Sequence, residues 1–190
     1  MNKTIEEKKQ VNAKKMMLWF FFVSVIMMFA GLTSAYIMRA TKTDWVKIAL
    51  PQAFYYSTLV ILLSSGVFIL AKKELIKANQ KKARLWMSVT ILLGLLFVYL
   101  QLMGFQELHD KQYYAFGPAS QVASSMLFII SGAHLLHIFI AIIVLLVVYV
   151  QTIKNKYSPD NLLGFELGFQ FWHFLDLLWV FLFLFLYFYS

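Results

Sequence analysis

The 190 residues contain no cysteine, three prolines, eight glycines and few charges, with 14% Asp, Glu, Lys or Arg. The missing thiols exclude disulfides, iron–sulfur clusters and thiolate-bound copper or zinc. The scarcity of charge excludes an ordinary soluble domain, where about a quarter of residues are charged. Apolar–polar alternation is lacking too. The run Met16–Ala30 shows none, whereas a membrane β-barrel needs strands of about ten alternating residues.

The chain is instead 61% hydrophobic and 18% aromatic. Runs of about twenty apolar residues lie between charge clusters. That length crosses a hydrocarbon core of about 30 Å at 1.5 Å per helical residue. The expected fold class is all-α: a polytopic membrane protein built as a bundle of five transmembrane helices. The spans fall at about 16–37, 52–71, 85–106, 120–150 and 162–189. Residues 1–15 form a polar N-terminal arm, and 16–190 the transmembrane domain. The first span, about 22 residues, is too long for the apolar region of a secretory signal. Pro51 opens the second span, Gly117 and Pro118 mark the turn before the fourth, and Pro159 lies in the last loop. Ser24, Gly31 and Ser34, and then Ser64, Ser65 and Gly66, offer small surfaces for close helix packing.

Charge placement sets the topology. A net charge of +8 in a soluble protein suggests nucleic acid. Here the basic residues flank apolar runs, so membrane orientation explains them and no nucleic-acid partner is expected. Five lysines precede the first span, six Lys or Arg lie in 72–84 and two in 151–161. The first loop, with Arg39, Lys42, Asp44 and Lys47, carries three. A cytoplasmic N-terminus thus places thirteen of the 17 basic residues inside, and the C-terminus is periplasmic.

An ionisable side chain at the bilayer centre costs about 2.5–3.5 kcal/mol. The fifth span nevertheless carries Glu166, His173 and Asp176, and the fourth His134 and His137; Gln101 interrupts the third. Glu166, Gln170, His173 and Asp176 fall within about a third of the helix circumference. Ser131, His134 and His137 share one face of the fourth helix. Packing these two stripes together gives each polar group a partner away from lipid. A di-haem site is disfavoured, because only His173 could face the two histidines of the fourth helix. A non-haem metal site from His134, His137, His173 and a carboxylate stays geometrically open, as does a proton relay. The spacing favours an inter-helix hydrogen-bond network, with Gln101 as a further member. Glu107 and His109 are expected to be solvated at the external interface.

The stretch FWHFLDLLWVFLFLFLY (171–187) closely resembles the last-helix signature of subunit III of haem–copper terminal oxidases, in which an aromatic–Trp–His–Phe–x–Asp–x–x–Trp pattern recurs. SSMLFIISGAHLLHIFIA (124–141) is similar to the helix before it, with its Gly–x–His–x–x–His. LWFFFVSVIMMFAGLTSAY (18–36), LPQAFYYSTLVILLSSG (50–66) and LGLLFVYLQLMGF (93–105) resemble the earlier helices in order, so the likeness covers residues 16–190. The five-helix length resembles the short bacterial form.

The resemblance implies a non-catalytic subunit that packs against catalytic subunit I, binds phospholipid, and keeps proton uptake and turnover stable. The complex would reduce dioxygen with electrons from cytochrome c and pump protons across a bacterial inner membrane. Haem and copper are expected in partner subunits, with no cofactor or metal site on this chain; a respiratory supercomplex is a further partner the family allows. By resemblance, Gly132, Trp172 and Trp179 serve packing and lipid contact, and His134, His137, Glu166, His173 and Asp176 the polar network. The family's usual carboxylates at the positions of Val25 and Gly104 are absent here, which removes roles that rest on them. Subunit III of a quinol oxidase is the alternative within the family. A small transporter with a His/Asp relay is the alternative outside it, against which the lack of broken, pseudo-symmetric helices speaks.

The topology is testable with reporter fusions. A periplasm-dependent phosphatase fused after residue 190 should be active, and one fused in 72–84 inactive; the reverse pattern would overturn the orientation.

Overall fold

The computed structural model describes residues 2–189 except 44, 46, 47, 116, 118–120 and 158–161. Asp44, Lys47, Pro118, Ser120 and Pro159 therefore lie outside the described residues. All regular structure among those described is helical: α1 Asn2–Ala40, α2 Gln52–Ile76, α3 Gln80–Asp110, α4 Val122–Ile153 and α5 Leu163–Tyr189. Each is long and apolar enough to cross a membrane.

The helices outrun the hydropathy-based spans. α1 has 39 residues, about 58 Å at 1.5 Å per residue, against a core of about 30 Å. Hydropathy marks where a helix enters lipid, not where its backbone hydrogen bonds stop. The polar arm is thus a continuation of α1. The basic segment 72–84 is likewise mostly helix, broken only at 77–79.

Three helices end alike. Ala78, Gln112 and Asn155 adopt positive φ of 57°, 63° and 52°. Beyond each, an amide reaches back five residues: Asn79 N–H to Glu74 O (3.0 Å), Tyr113 to Leu108 (3.0 Å) and Lys156 to Gln151 (3.1 Å). This is the Schellman closure, which satisfies terminal carbonyls and usually places glycine at the left-handed position. Asn79 then caps α3 by accepting from Lys82 N–H. At the other end Glu107 of α3 accepts the Gln52 amide at the start of α2 (3.1 Å). It was expected to be solvated; it caps a helix whose own N-cap, Pro51, has no side chain able to do so.

Packing follows these hairpins. α2, α3, α4 and α5 form a ring in which each neighbour in sequence packs on the next and α5 returns to α2. α1 packs on α4 and α5 and makes no contact with α2 among the described residues. Its buried seam is narrow: Phe22, Val25, Phe29, Thr33 and Tyr36. Ser24, Gly31 and Ser34 lie on exposed positions, and a Cβ on Gly31 would meet nothing within 4 Å. The small stripe expected to bring α1 close to its neighbours therefore faces away from them. Close approach occurs elsewhere. A Cβ on Gly94 would lie 2.7 Å from Trp172 Cη2, and one on Gly168 2.9 Å from Val148 Cγ2. The start of α3 is tied to α4 by Ser88 to Tyr149 (2.9 Å) and to the loop after α4 by Arg84 to Asn155 (2.7 Å) and Gln80 to Tyr157 O (2.9 Å).

A non-glycine residue in the left-handed region costs about 1 kcal/mol that glycine avoids. Ala78→Gly should accordingly stabilise the protein by about 0.5–1 kcal/mol, read from unfolding in a denaturing-detergent titration. Destabilisation would show that the turn tolerates Ala78 without strain.

Candidate functional site

The polar residues of α5 meet α2, not α4. Lys72 Nζ lies 3.7 Å from Glu166 Oε1. Ser65 Oγ lies 2.5 Å from His173 Nδ1. Trp179 Nε1 donates to Thr58 Oγ1 at 3.0 Å. On α2 these partners are spaced seven and seven; on α5 they are spaced seven and six. Two antiparallel helices with apolar seams repeat about every seven residues, so the polar pairs form rungs of a ladder down the α2–α5 contact. Phe68 fills the interval between two rungs, with ring centroids 5.2 Å from Phe169 and 6.0 Å from His173. Lys72 also sits 4.7 Å above the Phe169 ring, a cation–π contact.

Asp176 lies beside the middle rung. Its Oδ2 is 3.7 Å from His173 Nδ1, and the side chain is 3% exposed. Neither carboxyl oxygen has a donor in hydrogen-bond geometry among the described residues. His173 Nε2 is likewise unpartnered. Gln170, on the same stripe, is exposed.

The stripe on α4 goes elsewhere. His134 is fully buried, stacked on Trp179 (5.1 Å, 30°) and edge-on to Phe97 (6.2 Å) and Phe29 (6.4 Å). One imidazole thus touches α1, α3 and α5. Its two ring nitrogens and Ser131 Oγ have no hydrogen-bond partner among the described residues. His137 bonds the Ala133 carbonyl of its own helix (2.7 Å) and turns its ring to Phe21 and Phe29 of α1. The expected meeting of the α4 and α5 stripes does not occur. The α5 stripe points toward α2 and outward, because the helix ring gives α5 two neighbours and only one is adjacent in sequence.

Gln101, buried on α3, donates to Ser57 Oγ of α2 (2.9 Å). Trp172 and Trp179 were expected against lipid as well as in packing. Both are fully buried, their indoles filling the ring interior where Gly94 and Phe97 leave room. Gly132 is half-buried, with open space where a Cβ would stand. Sequence reasoning missed Thr58, Ser65 and Lys72; their seven-residue spacing on α2, matched by Glu166 and His173 on α5, was the available signal. Just beyond the C-terminal end of α4, Tyr157 is buried under Gly164, and burial pushes its phenol above the ordinary value of 10.

No group of three His, Asp or Glu among the described residues is placed to hold a metal ion. Polar pairs and ring stacks tie non-sequential helices together, α2 to α5 and α1 to α4.

The family model for cytochrome c oxidase subunit III matches residues 6–190. Similar curated proteins include cytochrome c oxidase subunit 3 of Gallus gallus, 37% identical over 128 residues (67% of this chain, 47% of that protein). That of Loxodonta africana is 33% identical over 128 residues, with the same coverage. That of Spodoptera frugiperda is 31% identical over 129 residues, 67% of this chain and 84% of that protein. The chain spans about half the length of the Gallus and Loxodonta relatives it matches.

The pairing is open to double-mutant cycles. Ser65→Ala with His173→Ala should couple by about 0.6–2 kcal/mol, the range for hydrogen bonds between membrane helices. Ser131→Ala with His173→Ala should be additive. Coupling in the second pair and none in the first would refute the α2–α5 ladder.

Proposed function

The chain belongs to the cytochrome c oxidase subunit III family, and from that membership we propose that it is the non-catalytic integral subunit III of a bacterial haem–copper cytochrome c oxidase. The single observation that carries this reading is the match over residues 6–190. The complex reduces dioxygen with electrons from cytochrome c and pumps protons; its haem and copper belong to partner subunits. This chain lies in the inner membrane and stabilises catalytic subunit I and its proton uptake. Its N-terminus is cytoplasmic and its C-terminus periplasmic, as the lysine distribution supports.

Within that role the polar side chains hold shape. Glu166 and His173 secure α5 to α2 with Asp176 buried beside His173, Gln101 secures α3 to α2, and His134 and His137 gather α1 around α4. Pairing of this kind suits groups that would each cost a few kcal/mol if left to lipid. Trp172 and Trp179 serve packing. Phospholipid binds the outer grooves. One, about 450 Å³, lies between α1, α4 and α5 around Leu18, Val147 and Phe171. The mouth of another nearby carries Lys154 and Lys156.

Affinity-tagged chain, purified from native membranes in mild detergent, should bring down a haem–copper subunit with its visible haem spectrum. Purification free of any haem protein would overturn the proposal. In the assembled complex Asp176→Asn should leave initial oxygen consumption intact and shorten the period over which turnover is sustained. Immediate loss of activity would assign Asp176 to proton transfer instead.

A further inference from the structure

The outward face of α5 is open between α1 and α2, which make no contact with each other among the described residues. Along it run Glu166, Gln170, His173, Leu177 and Leu184. Gln170, Leu177 and Leu184 are exposed, and Glu166 and His173 half-buried. The broad exposed surfaces of α3 and α4 at membrane depth are apolar: Leu92, Leu95, Leu96 and Tyr99 on α3, and Leu136, Phe139, Ile143 and Val147 on α4. Such surfaces suit acyl chains. The α5 face does not.

Depth sharpens the contrast. Counted from Leu163 at 1.5 Å per residue, Gln170 lies about 10 Å and His173 about 15 Å along a helix of about 40 Å. With the helix centred on a core of about 30 Å, both fall inside the hydrocarbon. Gln170 makes no hydrogen bond within the described residues. An acyl chain cannot satisfy the exposed Gln170 amide, whereas a side chain on another helix can. The walls permit a close approach, since Gly66 on α2 and Ala30 on α1 are exposed, and a Cβ on Gly66 would meet nothing within 4 Å.

We infer that the α1–α5–α2 face is where a single transmembrane helix of a neighbouring subunit docks, presenting a hydrogen-bonding side chain at the depth of Gln170 and His173. The inference rests on the reading of this chain as a subunit of a membrane complex. It adds which face is covered and what chemistry covers it. Leu177 and Leu184 make the apolar part of the contact toward the other side of the membrane.

The test places a photo-reactive benzoylphenylalanine at Gln170, Leu177, Leu92 or Phe139 in the full chain within native membranes. Positions 170 and 177 should cross-link to one transmembrane peptide of one other protein, with a polar residue within a turn of the adduct. Positions 92 and 139 should give lipid adducts. Gln170→Leu should lower retention of the chain in the purified complex by about three- to thirtyfold, the factor for one hydrogen bond between membrane helices. Lipid adducts alone at 170 and 177, adducts to a second copy of this chain, or unchanged retention would each overturn the docking face. The identity of the captured subunit reports separately on function: a helix from a protein other than an oxidase keeps the face and overturns the oxidase reading.

Discussion

The contact between α5 and α2 closes the ring on which the rest of the bundle is arranged, and three polar pairs mark its line. In water such pairs would contribute little, since an exposed ion pair is typically worth under about 1 kcal/mol. In lipid the comparison is with an unpartnered polar group, which is far costlier. The rungs Lys72–Glu166, Ser65–His173 and Thr58–Trp179 therefore act less by their strength than by the penalty for mispairing. A slip of α5 by one turn would leave His173 and Trp179 facing Phe68 and Ile61 instead of hydroxyl groups. The ladder thus sets register as well as adjacency.

Once α5 is fixed against α2, the interior follows. Trp179 is brought between Phe54 and Phe97 and under His134, so one side chain joins α2, α3, α4 and α5. Trp172 drops over Gly94, which explains why α3 has no side chain there. Truncating such a residue to alanine typically costs about 3–5 kcal/mol. Apolar filling and polar indexing therefore divide the labour: the first supplies cohesion, the second decides which helix sits where.

The number and type of helices were legible because apolar runs of spanning length have few other readings. The residues that matter inside them were legible because ionisable groups in such runs are rare. Their partners were not. A polar stripe on a helix in a bundle tells which direction must be covered, but not by which neighbour, and the nearest helix in sequence, α4, was the wrong choice. The heptad match between Thr58, Ser65 and Lys72 and the α5 residues held the answer, but hydroxyls in an apolar run look like packing residues. Likewise Ser24, Gly31 and Ser34 signalled close packing, yet no helix of this chain covers them. Helix ends were hard for another reason: hydropathy reports the lipid boundary, whereas Ala78, Gln112 and Asn155 end helices in water, without the glycine that usually announces a stop.

The placement of α1 has a consequence for how the chain is made. Among the described residues α1 packs on α4 and α5 alone of the other helices, so of these five it meets its neighbours only when the last two emerge. α2 and α3 can form their hairpin meanwhile. Between Lys15 and Arg39 α1 carries no charge. Of these five helices, α1 is thus suited to wait in the bilayer until α4 and α5 follow.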